Sequence, residues 1–136
     1  MGRSINLAIN GEFTVAFATA ETMVASDFVG IVSQKDDPEK MDKIGWKSEK
    51  APNVNAPVFD VFPMTLECRI KQKIDECKTG YYLVAEIVNI LCKEEYLAED
   101  GKPDVAQMNL ITFDPVHMGY IQLGKTVGAA FSCGNR

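Results

Sequence analysis

The stretch "MTLECRIKQKI", residues 64–74, alternates apolar and polar side chains along almost its whole length. Met64, Leu66, Cys68, Ile70 and Ile74 fall on one side, and Thr65, Glu67, Arg69, Lys71 and Lys73 on the other. A period of two predicts a β-strand with one wet face. Downstream, "YYLVAEIVNILC", residues 81–92, is apolar on both faces apart from Glu86 and Asn89, and this predicts a central, buried strand. Between the two, "DECKTG", residues 75–80, reads as a hairpin loop closed by glycine. Upstream, "EFTVAFA", residues 12–18, alternates Phe13, Val15 and Phe17 with other residues and reads as another strand. Two long antiparallel strands, one half-exposed and one buried, point to a barrel or a sandwich.

Helical signals are fewer. Thr19 is placed to cap a helix from Ala20 to about Val32, with Glu21 in the first turn where the dipole favours a carboxylate. Met23, Val24, Phe28, Ile31 and Val32 give it an apolar face. Asp37-Pro38 opens a second, shorter helix, "PEKMDKI", which Gly45 ends. "EKAPNVNAP", residues 49–57, is a loop with two prolines, and Lys93 to Asp104 is a solvated acidic loop. The later pieces "MNLITF", "GYIQLG" and "KTVGAAFS" are short and apolar. With 136 residues, no internal repeat and no linker, residues 1–136 read as one domain, mainly β with a few helices.

The composition, 46% hydrophobic and 24% charged, is that of a globular chain. A net charge of −5 offers no basic stripe and excludes nucleic acid as the expected partner. No apolar run reaches the ~18 residues of a membrane span, and the opening residues do not form a signal peptide. The four cysteines include no C-x-x-C pair, and His117 is the one histidine, so no metal site is expected. Free thiols fit a reducing, cytoplasmic setting. His117, in "DPVHMGY", reads as a turn residue, with proton transfer as the other role open to it. Trp46 reads as a core anchor or as a stacking surface for an aromatic cofactor.

The phosphate-loop, dinucleotide and nucleophile-elbow patterns are missing, and no catalytic residue declares itself. Lys40 would stand in the first turn of the shorter helix, where free N–H groups favour an anion. Asp37 as cap, with Asp36 and Glu39 nearby, opposes phosphate there, and patterning alone leaves Lys40 on a solvated face.

The phrases "GEFTVAFAT", "DFVGIVSQKDDPEKMDKIGW", "APVFDVFPMTLECRI", "YYLVAEIVNI", "EDGKPD" and "GYIQLGKTVGAAFS" occur in that order along nearly the whole chain. The order resembles the flavin reductase-like, FMN-binding split-barrel family, flavoredoxin type. The resemblance implies a Greek-key split β-barrel capped by helices and a homodimer with FMN near its interface. It also implies oxidoreductase chemistry, either by accepting hydride from NADH or NADPH or by relaying electrons to a redox partner protein. The family's cofactor-facing lysine falls on Lys40, although Gln34 stands where its motif has glycine and one residue is inserted near Pro38. A hydroxyl before the first helix falls near Ser4, beside Arg3. An apolar position near the flavin falls on Phe113. A histidine of flavoredoxin-like members falls on Gly80, which leaves Tyr81 as the nearest substitute.

The chain joins the family pattern after its opening strands, which carry a "PNAMT…W" type of segment. A barrel incomplete at the N-terminus would expose sheet edges and apolar surface. That leaves an alternative expectation, a truncated, cofactor-free family member with an assembly role.

Overall fold

The structure is a computed structural model that describes residues 11–31, 45–77 and 80–135. The elements run β1 (Glu12–Ala16), α1 (Met23–Ile31), β2 (Ser48–Lys50), β3 (Pro57–Phe59), β4 (Met64–Cys77), β5 (Gly80–Cys92), β6 (Ile111–Asp114) and β7 (Gly119–Gln122). Two 3-10 turns, Glu94–Tyr96 and Val105–Gln107, shape the segment after β5.

The alternating stretch is β4, and it is longer than expected. It pairs antiparallel with β1 on one side and β5 on the other, in the order β1-β4-β5. Phe13 stands opposite Cys68 and Val15 opposite Leu66, so the apolar rows of β1 and β4 share a face. Glu12 stands opposite Arg69 and accepts from its guanidinium at 3.2 Å, which fastens the far end of the β1–β4 pair. The hairpin loop is shorter than "DECKTG", because pairing continues to Cys77 opposite Gly80. Residues 78 and 79 lie outside the described ones.

Three expectations change here. First, β5 is an edge strand among the described residues, not a central one. Composition reports how apolar a strand's faces are, not whether its edge is paired, and Ile87 and Ile90 remain 54% and 51% exposed. Second, the alternation of β4 does not persist. Between Ile70 and Gln72 the register shifts by an extra residue on β4, Lys71, while β5 continues unbroken from Ala85 to Tyr82. Ile74 pairs with Tyr82 and therefore faces opposite to Ile70, which pairs with Ala85. Third, the wet face is wet only from Arg69 onward. Thr65 and Glu67 are buried on it, at 3% and 0% exposure.

The helix begins later than expected. Thr19 and Thr22 exchange bonds, Thr22 N–H to Thr19 Oγ1 at 3.1 Å and Thr19 N–H to Thr22 Oγ1 at 2.9 Å. This reciprocal arrangement satisfies donors that the first turn leaves free. Thr22 O then accepts from Ser26 N–H, and the helix starts at Met23. The shorter helix expected before Gly45 lies outside the described residues, though Gly45 itself has a φ of 68°.

The hydrophobic core among the described residues is small: Ala51, Val54, Cys68, Met108 and Leu110. Met108 and Leu110 precede the β6–β7 hairpin and seat it on the chain that leaves β1. Ile111 N–H donates to Ala18 O at 3.2 Å, and Ala20 N–H donates to Asn109 O at 2.9 Å.

Candidate cofactor site

Of the expected site residues, Phe113 and Tyr81 are described, while Lys40 and Ser4 lie outside the described residues. Phe113 sits on β6 opposite Tyr120 of β7, because the two-stranded register pairs them. Their rings meet edge-on at 6.0 Å. The Tyr120 hydroxyl donates to Asp27 Oδ1 on α1 at 2.5 Å, which joins the hairpin to the helix. That bond to the Asp27 carboxylate, with a little desolvation, raises the Tyr120 pKa above its ordinary value. The neutral phenol is therefore held as a donor. Phe113 remains 53% exposed and Tyr120 43%, so the pair forms an apolar, ordered surface open to a planar partner.

Tyr81 stands at the other end of the molecule. It lies on β5 near the hairpin tip, with Lys73 Nζ 4.5 Å above its ring. The β6–β7 hairpin is tied to the chain just past Ala16, which pairs with Thr65, whereas Tyr82 pairs with Ile74. The ribbon from Thr65 to Ile74 spans roughly 30 Å. A single copy thus places Phe113 and Tyr81 at opposite ends of the β4–β5 ribbon.

A third feature is an open cavity of about 370 Å³, whose lining includes Lys50, Phe59, Phe62, Thr65, Leu91 and Lys93. Trp46 packs behind it, edge-on to Phe62 at 5.0 Å and tilted to Phe59 at 5.8 Å. That is a packing role. Phe113 and Tyr81 do not line this cavity.

Sequence reasoning missed Glu67, the fully buried carboxylate that organises the loop beside the cavity. Its Oε1 accepts from Asn53 N–H at 2.7 Å, and its Oε2 accepts from the side-chain amides of Asn53 and Asn89, each at 2.8 Å. Burial pushes the carboxyl pKa up. The donors from Asn53, Asn89 and the Val54 backbone outweigh burial and hold it below the ordinary 4.5. The signal available was Asn89, a polar break in an otherwise apolar strand, together with the two asparagines of "PNVNAP".

The remaining polar groups carry less chemistry. Burial raises the thiol pKa of Cys68 and Cys92, which leaves both poor nucleophiles. His117 lies exposed in the β6–β7 turn, with Nδ1 3.2 Å from Asp114 Oδ2. Among the described residues no cluster of His, Cys, Asp and Glu is placed to hold a metal ion, and no helix is long and apolar enough to cross a membrane.

Comparison with solved structures gives this geometry a context. Flavoredoxin of Desulfovibrio vulgaris (Miyazaki F) is 26% identical, with a TM-score of 0.88 over 98% of this chain and 70% of its own. Flavoredoxin from Methanosarcina acetivorans is 28% identical, with a TM-score of 0.81 over 94% of this chain and 66% of its own. The FMN-binding domain of a flavin reductases-like enzyme from Shewanella baltica is 16% identical, with a TM-score of 0.71 over 90% and 65%, and shows the fold alone. The chain thus spans about two thirds of the length of these proteins. No protein-family model matches the sequence, and no curated protein matches it.

The mainly β architecture is the split barrel of the flavin reductase-like proteins. Within that fold the chain is similar to the two flavoredoxins, at 26% and 28% identity.

Proposed function

We propose that this chain binds FMN and works as a flavin reductase-like oxidoreductase in the cytoplasm. It accepts hydride from NADH or NADPH, or relays electrons to a redox partner protein. The observation that carries this reading is the match to flavoredoxin over 98% of the chain at a TM-score of 0.88.

The residues present fit a flavin in part. Phe113 and Tyr120 offer an ordered aromatic surface, and Asp27 fixes the Tyr120 hydroxyl so that the ring cannot swing away. On the resemblance, Lys40 would supply a cation to the cofactor and Ser4 a polar contact; both lie outside the described residues. Bound FMN would supply the redox chemistry through its ring, leaving position and electrostatics to the protein. Since Tyr81 lies at the far end of the ribbon from Phe113, both residues can reach one ring only from different copies. This favours a homodimer with the cofactor at its interface.

The test is an absorbance spectrum of the purified protein, followed by titration with FMN. A yellow protein, or saturable binding of one FMN per chain, supports the reading, and a colourless protein that binds no FMN refutes it. In that event the open apolar surface favours the cofactor-free assembly role. Consumption of NADH or NADPH with added FMN separates the reductase from the electron carrier: turnover marks the first, and bound flavin without turnover the second.

A further inference from the structure

After Leu123, whose N–H donates to Leu110 O at 2.8 Å, the chain leaves the body of the molecule. Residues 124–135 form an arm in which every residue is exposed. Its two large apolar side chains, Val127 and Phe131, are 95% and 104% exposed. Yet the arm has a defined shape. Cys133 N–H donates to Ala129 O and Asn135 N–H to Ser132 O, each at 3.0 Å, and a side chain at Gly128 would meet Cys133 at 3.4 Å.

At the apex of this turn Phe131 has a φ of 67°, a left-handed conformation that bulky residues rarely adopt. A fully solvated phenylalanine in a strained backbone needs a compensating contact. The arm is also part of the shared fold. A match over 98% of the chain leaves about three residues outside it, far fewer than the arm contains.

The body offers the complement. Val15, Ile87 and Ile90 share one face of the sheet, because Val15 and Ile90 both pair with Leu66, and Ile87 pairs with Cys68. Their exposures of 38%, 54% and 51% make this an open apolar patch beside the edge of β5 that no other described strand pairs with. Charge fits a second copy as the occupant: the arm contains Lys125 and no carboxylate, whereas the whole chain carries a net −5.

We infer that the arm docks on a second copy of the chain, with Val127 and Phe131 seated on the partner's apolar patch. The exchange is reciprocal about a two-fold axis, so each copy gives an arm and receives one. This deepens the dimer reading above and rests on it, but it does not depend on flavin.

The test is the mass of the full chain in solution by light scattering across a concentration series, with and without FMN. The wild type is expected to be dimeric. Phe131→Asp and Val127→Asp should each weaken self-association by roughly 30-fold or more, as for a central apolar anchor. Val24→Asp, on the 75% exposed outer side of α1, should leave it unchanged. A dimer unaffected by Phe131→Asp overturns the arm and leaves the dimer standing; a monomeric wild type overturns both. Loss of the native circular dichroism in Phe131→Asp would also overturn it, since the proposed contact lies between copies. As a second readout, Ile87→Cys with Phe131→Cys, in a Cys133→Ser background, should form disulfide-linked dimers under mild oxidation.

Discussion

Removing the Glu67 carboxylate tests the buried network most directly. Glu67→Ala deletes the acceptor of Asn53 N–H and of two side-chain amides. Asn53 is exposed and its amide can turn to water, but Asn89 is half-buried and the Asn53 backbone is held by the loop. Leaving about two donors poorly satisfied, and a cavity besides, should cost about 3 kcal/mol. For a chain of 136 residues that corresponds to a fall in Tm of roughly 10 °C. Glu67→Gln keeps the volume and one oxygen, and Asn53 and Asn89 can flip to accept from the new amide, so its cost should be about 1 kcal/mol.

The pH dependence separates a charge effect from a shape effect. The carboxyl pKa is held below 4.5, so the ionised group contributes stability in full above its ordinary value. That contribution is lost as pH falls through the lowered pKa. The wild-type advantage over Glu67→Gln should therefore be largest at neutral pH, narrow below pH 4.5 and vanish in stronger acid. Thermal melts by circular dichroism at pH 7 and below 4.5 measure both. An alanine variant that melts with the wild type at pH 7, or a glutamine gap that widens in acid, would refute the assignment.

Further predictions concern the proposed site. Tyr120→Phe removes the bond to Asp27 and should delete the latest-titrating tyrosine from an ultraviolet pH titration; an unchanged titration curve would contradict the raised pKa. The stability that this bond lends is present below the ordinary tyrosine pKa of 10 and lost as pH rises through the raised value. Phe113→Ala should weaken FMN binding by roughly tenfold, the worth of an aromatic contact, with little change in Tm because the ring is half-exposed; equal affinity would remove Phe113 from the site. Lys40→Ala should weaken FMN more than it weakens riboflavin, which lacks the phosphate, and equal losses would return Lys40 to a solvated surface.

Much of the architecture could be read from local pattern. The period of two over residues 64–70 marks β4 as a strand whose apolar row aligns with that of β1, but not which face is wet, since Thr65 and Glu67 are buried. The hairpin partner was visible in the apolar run that follows, and the edge-strand status of β5 was not, because pairing depends on chain elsewhere. Glu67 looked like a solvent-facing residue for a similar reason. What buries it is the loop of Asn53 and Val54, 14 residues earlier, and no strand pattern reports on that. Phe113 was expected at the site through resemblance alone. Its partnership with Tyr120 follows from a four-residue hairpin register, and the bond to Asp27 spans 93 positions.

The ladder between β4 and β5 contains three interruptions, of which the first two offset one another. Val88 is the extra residue on β5 and Lys71 the extra residue on β4, so the strands are back in step from Gln72 to Ile74. Each bulge absorbs one extra residue on its own strand, so the facing of the residues beyond it is set by their partners across the ladder. Deleting Val88 or Lys71 therefore leaves every other side chain on its present face. Homologues with a single-residue gap in this hairpin should carry it at one of those two positions, and lineages can gain or shed either residue without rebuilding the barrel wall.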